Sequence, residues 1–130
     1  MTTDPISDML LAIRNGLKAR LVLVATAASN LKAEIAKVMK SSGYIQDAFV
    51  TGEFPKKLVI SLKYSDRAEP AIRGLQRQSK PGLRKFVSCA NIPAVLDGMG
   101  LAVLSTSKGV MSGVDAKKQK VGGDLICTVW

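Results

Sequence analysis

The sequence predicts an α+β fold, in which an N-terminal α/β lobe ordered helix, strand, helix, hairpin packs against a smaller, mainly β C-terminal lobe. Three observations predict it. Apolar residues recur at helical spacing in two segments of the first half, and alternate with other residues in the segment from Leu58 to Tyr64. The second half is a series of short apolar runs separated by Pro-Gly, Gly-x-Gly and Gly-Gly. A chain of 130 residues with 47% hydrophobic content can bury one core, as a compact unit or as two lobes sharing it.

Asp4 followed by Pro5 reads as an N-cap and a first-turn proline. Ile6, Met9, Leu10, Ile13 and Leu17 then mark one face of a helix over residues 5–17. The apolar, partly β-branched run Leu21 to Ala25 predicts a buried strand that turns at Thr26 to Ser29. A second helix begins near Ser29, with Leu31, Ile35, Val38 and Met39 on one face, and stops at Gly43 in a left-handed conformation. Residues 44–51 and 57–64 read as the strands of a hairpin. The polar stretch ending in Pro70 places a linker at 66–70, between a lobe of residues 1–65 and a lobe of residues 71–130.

In the second lobe, Ala71 to Gln78 and Leu83 to Ser88 flank Lys80-Pro81-Gly82. The pattern predicts a basic hairpin around a type II turn. Asn91 is placed to cap a short helical turn, Gly98 and Gly100 bracket Met99, and Leu101 to Leu104 reads as a strand buried on both faces. A polar loop at 105–109 and a short basic helix capped by Ser112 follow. Gly122-Gly123 then turns into a closing strand over 124–130. Most of the few aromatics sit at strand positions where burial is expected, with Phe86 in the basic hairpin the exception, so a stacking platform for single strands is not foreseen.

Nineteen Lys and Arg against ten Asp and Glu give a formal charge of +9, which points to a polyanionic partner. The first 70 residues hold ten basic and seven acidic groups and the remaining 60 hold nine and three, so the C-terminal lobe carries more of the attraction. With no histidine, imidazole bases, histidine metal ligands and Ser-His-Asp triads are excluded. Carboxylates scattered without an Asp-x-Asp set give no metal site, and Cys89 and Cys127, with no Cys-x-x-Cys pair, read as small buried hydrophobes. Ser105-Thr106-Ser107-Lys108-Gly109 lacks the glycines of a nucleotide-binding loop, but its hydroxyls and single cation suit ribose hydroxyls, phosphates and base edges. The same hydroxyls could simply satisfy a turn. Met1 to Asp4 shows no signal for secretion, and no run of 18 apolar residues suggests a membrane span.

Taken together, Asp4-Pro5-Ile6-Ser7-Asp8-Met9-Leu10, Ile13-Arg14-Asn15, Pro81-Gly82-Leu83-Arg84, Ser105 to Met111 and Val121-Gly122-Gly123 ending in Trp130 resemble the bacterial-type family of small ribosomal subunit protein eight, in order and from end to end. The resemblance implies a structural, non-catalytic constituent of the small ribosomal subunit, without cofactor or metal, monomeric within the ribosome of a cytoplasm or an organelle. It implies direct binding to an irregular helix in the central domain of small-subunit rRNA, a role in assembling that domain, and in some bacteria repression of the protein's own operon. Neighbouring ribosomal proteins, including the fifth of the small subunit, are implied as partners. Carried over position by position, it places Ser105, Thr106, Ser107, Lys108, Gly122, Gly123, Asp124, Phe86, Arg84 and Lys32 at the RNA. The chain departs from the family pattern at Asp124, Thr128 and Phe86, where Glu, Tyr and Tyr are usual, and at Ala27 to Asn30, where a Pro-x-Ser-Lys turn is usual. The competing reading is a basic protein-interaction module with no RNA specificity.

Overall fold

The computed structural model describes residues 4–130, so the expectation for Met1 to Thr3 lies outside the described residues. Helix α1 spans Pro5–Lys18 and buries Ile6, Met9, Leu10 and Ile13, the face that the helical spacing marks. Its end has a capping geometry that no glycine announces. Arg20 adopts φ 58°, the Arg20 N–H donates to the Leu17 carbonyl, and the Leu21 N–H donates back to the Gly16 carbonyl at 2.9 Å. That turn consumes Leu21 and Val22, so strand β1 runs Leu23–Ala27, two residues later than expected. It is also not the buried strand that its composition suggests. It lies at the edge of a three-stranded antiparallel sheet, and of its five side chains only Val24 is buried.

Helix α2, Asn30–Ser41, follows the sequence at its ends, but its buried face is rotated from the expected one: Leu31 is exposed, whereas Lys32 and Ala36 are buried beside Ile35 and Met39. The Ser29 Oγ accepts from the Lys32 N–H at 3.2 Å, and Gly43 sits at φ +84°. The Tyr44 N–H returning to the Met39 carbonyl and the Gly43 N–H to that of Lys40 complete the C-terminal cap. Strands β2 (Ile45–Val50) and β3 (Lys57–Leu62) form the expected hairpin, and β3 takes the centre of the order β1-β3-β2. Leu58, Ile60 and Leu62 turn inward toward the helices.

The second sheet is built on two long strands, β6 (Leu101–Thr106) and β8 (Gly123–Val129), with β7 (Gly109–Ser112) beside β6. Leu101 to Leu104 are all buried, as expected. The basic hairpin expected at 71–88 does not form. Strands β4 (Leu75–Arg77) and β5 (Phe86–Val87) both pair antiparallel with β8, one after the other along the same edge. Residues 78–85 loop out between them around a tight turn, in which the backbones of Lys80 and Leu83 exchange hydrogen bonds of 3.0 and 2.9 Å. Gly82 is not left-handed, so this turn is not type II. The helical turn expected at Asn91 is two 3₁₀ turns, Cys89–Asn91 and Val95–Gly98, neither with a side-chain cap. Ser112 does cap the six-residue helix α3, Gly113–Lys118, accepting from the Asp115 N–H.

One hydrophobic core runs through both lobes. Met9, Ile13, Ile35, Met39 and Ile60 from the first meet Ile72, Leu75, Val103 and Val129 from the second. A smaller cluster, with Leu104, Met111, Ala116 and Leu125, fills the far side of the second sheet. Helix α1 fastens the lobes through polar contacts as well. The Arg14 guanidinium donates to the Leu75 carbonyl, and the Asp4 carboxylate, instead of capping its own helix, accepts from Ser7 and from Arg77. The Arg77 Nε lies 3.0 Å from Asp4, with the two side chains 9% and 13% exposed, and Arg77 also donates to the Ile126 carbonyl at 2.7 Å. Burial works to raise the Asp4 carboxyl, but the Arg77 guanidinium and the Ser7 hydroxyl outweigh it and hold the group below its ordinary value. Cys127 is buried and its thiol is pushed up to about 12 by desolvation, whereas Cys89 is only half-buried, contrary to expectation.

Candidate nucleic-acid interface

Nine of the ten residues assigned to RNA lie at one end of the second sheet. Registration across β5, β8, β6 and β7 sets them in rows: Phe86 opposite Asp124, Asp124 opposite Ser105, and Ser105 opposite Val110. Directly opposed residues share a face, so Phe86, Asp124 and Ser105 form a transverse row. In the next row, Val87 opposes Gly123, and Thr106 opposes both Gly123 and Gly109.

The polar loop expected at 105–109 is a strand end and a two-residue hairpin turn with Ser107 and Lys108 at its tip. Gly109 takes φ +112°, which lets β7 leave this turn. The three hydroxyls divide by role. The Thr106 Oγ1 donates to the Gly109 carbonyl at 2.8 Å and accepts from the Lys108 N–H at 3.1 Å, so Thr106 satisfies the turn. Among the described residues, no hydrogen bond occupies the Ser105 or Ser107 hydroxyl. The turn thus presents one exposed serine and one exposed lysine, from a strand whose preceding four residues are buried.

Gly122 and Gly123 are required by close backbone approach. A Cβ on Gly122 would lie 2.3 Å from the Val87 carbonyl oxygen, and one on Gly123 would lie 2.3 Å from that of Ser105. Neither distance is sterically possible, so these glycines set how closely β8 passes between its neighbours.

Asp124 holds the basic loop. Its carboxylate accepts from the Ser79 hydroxyl and lies 3.3 Å from the Arg84 guanidinium. Ser79 is fully buried, and its Oγ also accepts from the Lys85 N–H at 2.9 Å. Ser79 therefore links the start of the loop, its return and β8, and nothing in the sequence marks it out among many serines. Replacing Ser79 with Ala should leave the Asp124 carboxylate and the Lys85 N–H short of a partner, costing about 1.5 kcal/mol of stability in denaturant unfolding. Phe86, next to the loop's return, is 73% exposed, an uncovered ring beside Arg84 and Lys85. Phe49 is exposed as well, against the burial expected at a strand position, and so is Phe54 in the connection between β2 and β3.

Lys32 is the residue the structure does not bring to this surface. It is 4% exposed, and its ammonium donates to the Ala27 carbonyl at 2.9 Å and to the Thr26 Oγ1 at 3.5 Å, at the end of β1. A cation committed to its own backbone is not free for a phosphate. Lys37, one helical face away, does reach the region, lining with Lys108 the cleft between α2 and the β6–β7 turn. The acidic Glu34 and Asp115 share that cleft.

The family model described as ribosomal protein S8 matches residues 4–130. The chain belongs to the ribosomal protein S8 family. Relatives bearing the name small ribosomal subunit protein uS8 include one from Anaeromyxobacter sp. (strain Fw109-5), 54% identical over 98% of both chains. Another, from Sorangium cellulosum (strain So ce56), is 50% identical over the whole of both, and one from Acholeplasma laidlawii (strain PG-8A) is 48% identical over 98% of both. The S8 family is one of structural, non-enzymatic proteins, and membership places the chain within the small subunit of the ribosome. No helix among the described residues is long and apolar enough to cross a membrane.

Proposed function

We propose that this chain binds the central domain of small-subunit rRNA directly, through the end of its second sheet, and so helps that domain assemble. The observation that carries the reading is the row of Phe86, Asp124 and Ser105 beside the exposed Ser107-Lys108 turn. It sets an exposed ring, two unoccupied hydroxyls and a flexible cation on a rigid strand end. Phosphate contacts give affinity without regard to sequence, whereas hydroxyls and rings read ribose edges and unstacked bases, which a regular duplex does not offer. The ligand is therefore an irregular helix with an internal loop. A messenger RNA with the same irregularity would compete for this surface, which is the physical basis for repression of the protein's own operon. Neighbouring small-subunit proteins, the fifth among them, would meet the remaining surface.

A titration tests this with two RNAs of equal length, the central-domain rRNA helix and a perfectly paired duplex, at two salt concentrations. Selective binding to the irregular helix that survives the higher salt is expected. Replacing Ser107 with Ala should weaken the irregular helix about tenfold and leave the duplex nearly unchanged, because the lost contact is read only there. Lys108→Ala should weaken both RNAs and lower the log-log salt slope by roughly 0.7 to 0.9, one phosphate's share. Equal, salt-fragile binding to both RNAs would leave a basic protein-interaction module in its place.

A further inference from the structure

The run Leu21 to Ala25 has the composition of a buried strand, yet the fold leaves it uncovered: Leu21, Val22 and Leu23 are 47%, 67% and 52% exposed. Apolar neighbours in succession at a sheet edge are what a folded chain ordinarily blunts with charge, proline or a bulge, and β1 carries none of these. The edge is open in its backbone as well. The Leu62 N–H donates to the Val22 carbonyl and the Ala28 N–H to that of Lys56, so the even-numbered residues of β1 bond to β3. By antiparallel alternation, the N–H and C=O groups of Leu23 and Ala25 face away from the sheet. The outward carbonyl of Ala27 is taken by the buried Lys32 ammonium, which ends the free edge.

The side chains of Leu23 and Ala25 also lie on the face of the sheet opposite the helices. Ala25, Val59 and Phe49 fall in one cross-strand row, and Phe49 is 52% exposed. The free edge thus adjoins an uncovered apolar face.

We propose that the outer edge of β1 is a docking site for an extended strand of another protein, apolar in its middle and acidic at its ends. Charge selects this occupant. The stretch from Met9 to Ala33 that holds β1 has no carboxylate of its own; Lys18 and Arg20 stand before β1, Lys18 sharing a cleft with Glu69 and Arg20 donating to the Ala68 carbonyl, and Lys56 and Lys57 lie across from its far end. A second copy of this chain, added antiparallel, would set these cations against their own kind. An RNA backbone would find charge at the ends but neither in-register donors and acceptors nor polar contacts along the apolar middle. A strand with acidic ends answers both features, in the manner of strand addition to a sheet edge. The site is separate from the proposed RNA surface on the second sheet.

The test uses a fluorescein-labelled peptide of about ten residues, alternating Val and Thr with two carboxylates at each end, titrated into the full chain by anisotropy. Saturable binding is expected, with slowed amide exchange at Leu23 and Ala25, and the same peptide with lysines at its ends should bind at least tenfold more weakly. Ala25→Pro removes an outward N–H without touching the β1–β3 ladder and should abolish binding. Leu23→Lys, which needs no backbone change, should do the same if the proline variant is unfolded by circular dichroism. Failure of the peptide to bind, equal binding to Leu23→Lys, or displacement by the central-domain rRNA helix would overturn the proposal. So would sedimentation showing that the chain alone dimerises through this edge.

Discussion

Gly123→Ala is expected to lower stability by about 3 kcal/mol, the upper range for an added carbon with no room to enter, and to weaken cognate RNA binding roughly thirtyfold. The new Cβ would sit 2.3 Å from the Ser105 carbonyl oxygen and 3.1 Å from the Thr106 Cα, both backbone atoms that no rotamer change can move. β8 and β6 must part where Thr106 holds the Ser107-Lys108 turn, so the fold and the proposed RNA surface suffer together. Gly52→Ala is the control, since its Cβ would meet nothing within 4 Å, and its stability should stay within about 0.5 kcal/mol of the parent. Thermal unfolding of both variants with the RNA titration separates them, and a Gly123→Ala protein that melts and binds like the parent would refute the close-approach argument.

The second large effect lies at the opposite end of the chain. Asp4→Asn should cost about 2 to 3 kcal/mol, below the full penalty of breaking a buried pair because Arg77 keeps the Ile126 carbonyl. For a chain of this size the melting temperature should fall by roughly 10 °C. The sign with pH follows from the depressed carboxyl. Its stabilisation is fully present above the ordinary value of 3.8 and is lost as pH falls through the lower folded value. The parent should therefore lose stability on acidification below about pH 4 more steeply than Asp4→Asn, and the two melting curves should converge. Parallel curves down to pH 2 would show that the Asp4–Arg77 pair does not link the lobes as described.

Most of the fold is legible in the sequence because local signals agree with it. The apolar stripe of α1, Ile35 and Met39 within α2, Ser29 and Gly43 at the ends of α2, Ser112 before α3 and the Gly122-Gly123 pair each state their structure within a few residues. What is not legible depends on partners far along the chain. Pro81-Gly82 does make a tight turn, but β8 competes successfully for both flanks, so no hairpin grows from it. The left-handed Arg20 has no propensity that announces it, and the start of β1 shifts accordingly. Asp4 has the residue type of a cap, yet Arg77, distant in sequence, claims its carboxylate. The same limit governs the candidate site. Ser105, Asp124 and Phe86 come together because three strands register, whereas the burial of Ser79 and the inward turn of the Lys32 ammonium are visible only in the fold.

The most direct test of the central claim is the change in backbone amide NMR shifts as the central-domain rRNA helix is added to the isotopically labelled 13.8 kDa chain. The account predicts the largest shifts at residues 84–86, 105–109 and 122–124, with Leu23 and Ala25 unmoved. Shifts spread evenly over the lysines and arginines of both lobes, or centred on α1 and β1, would contradict it.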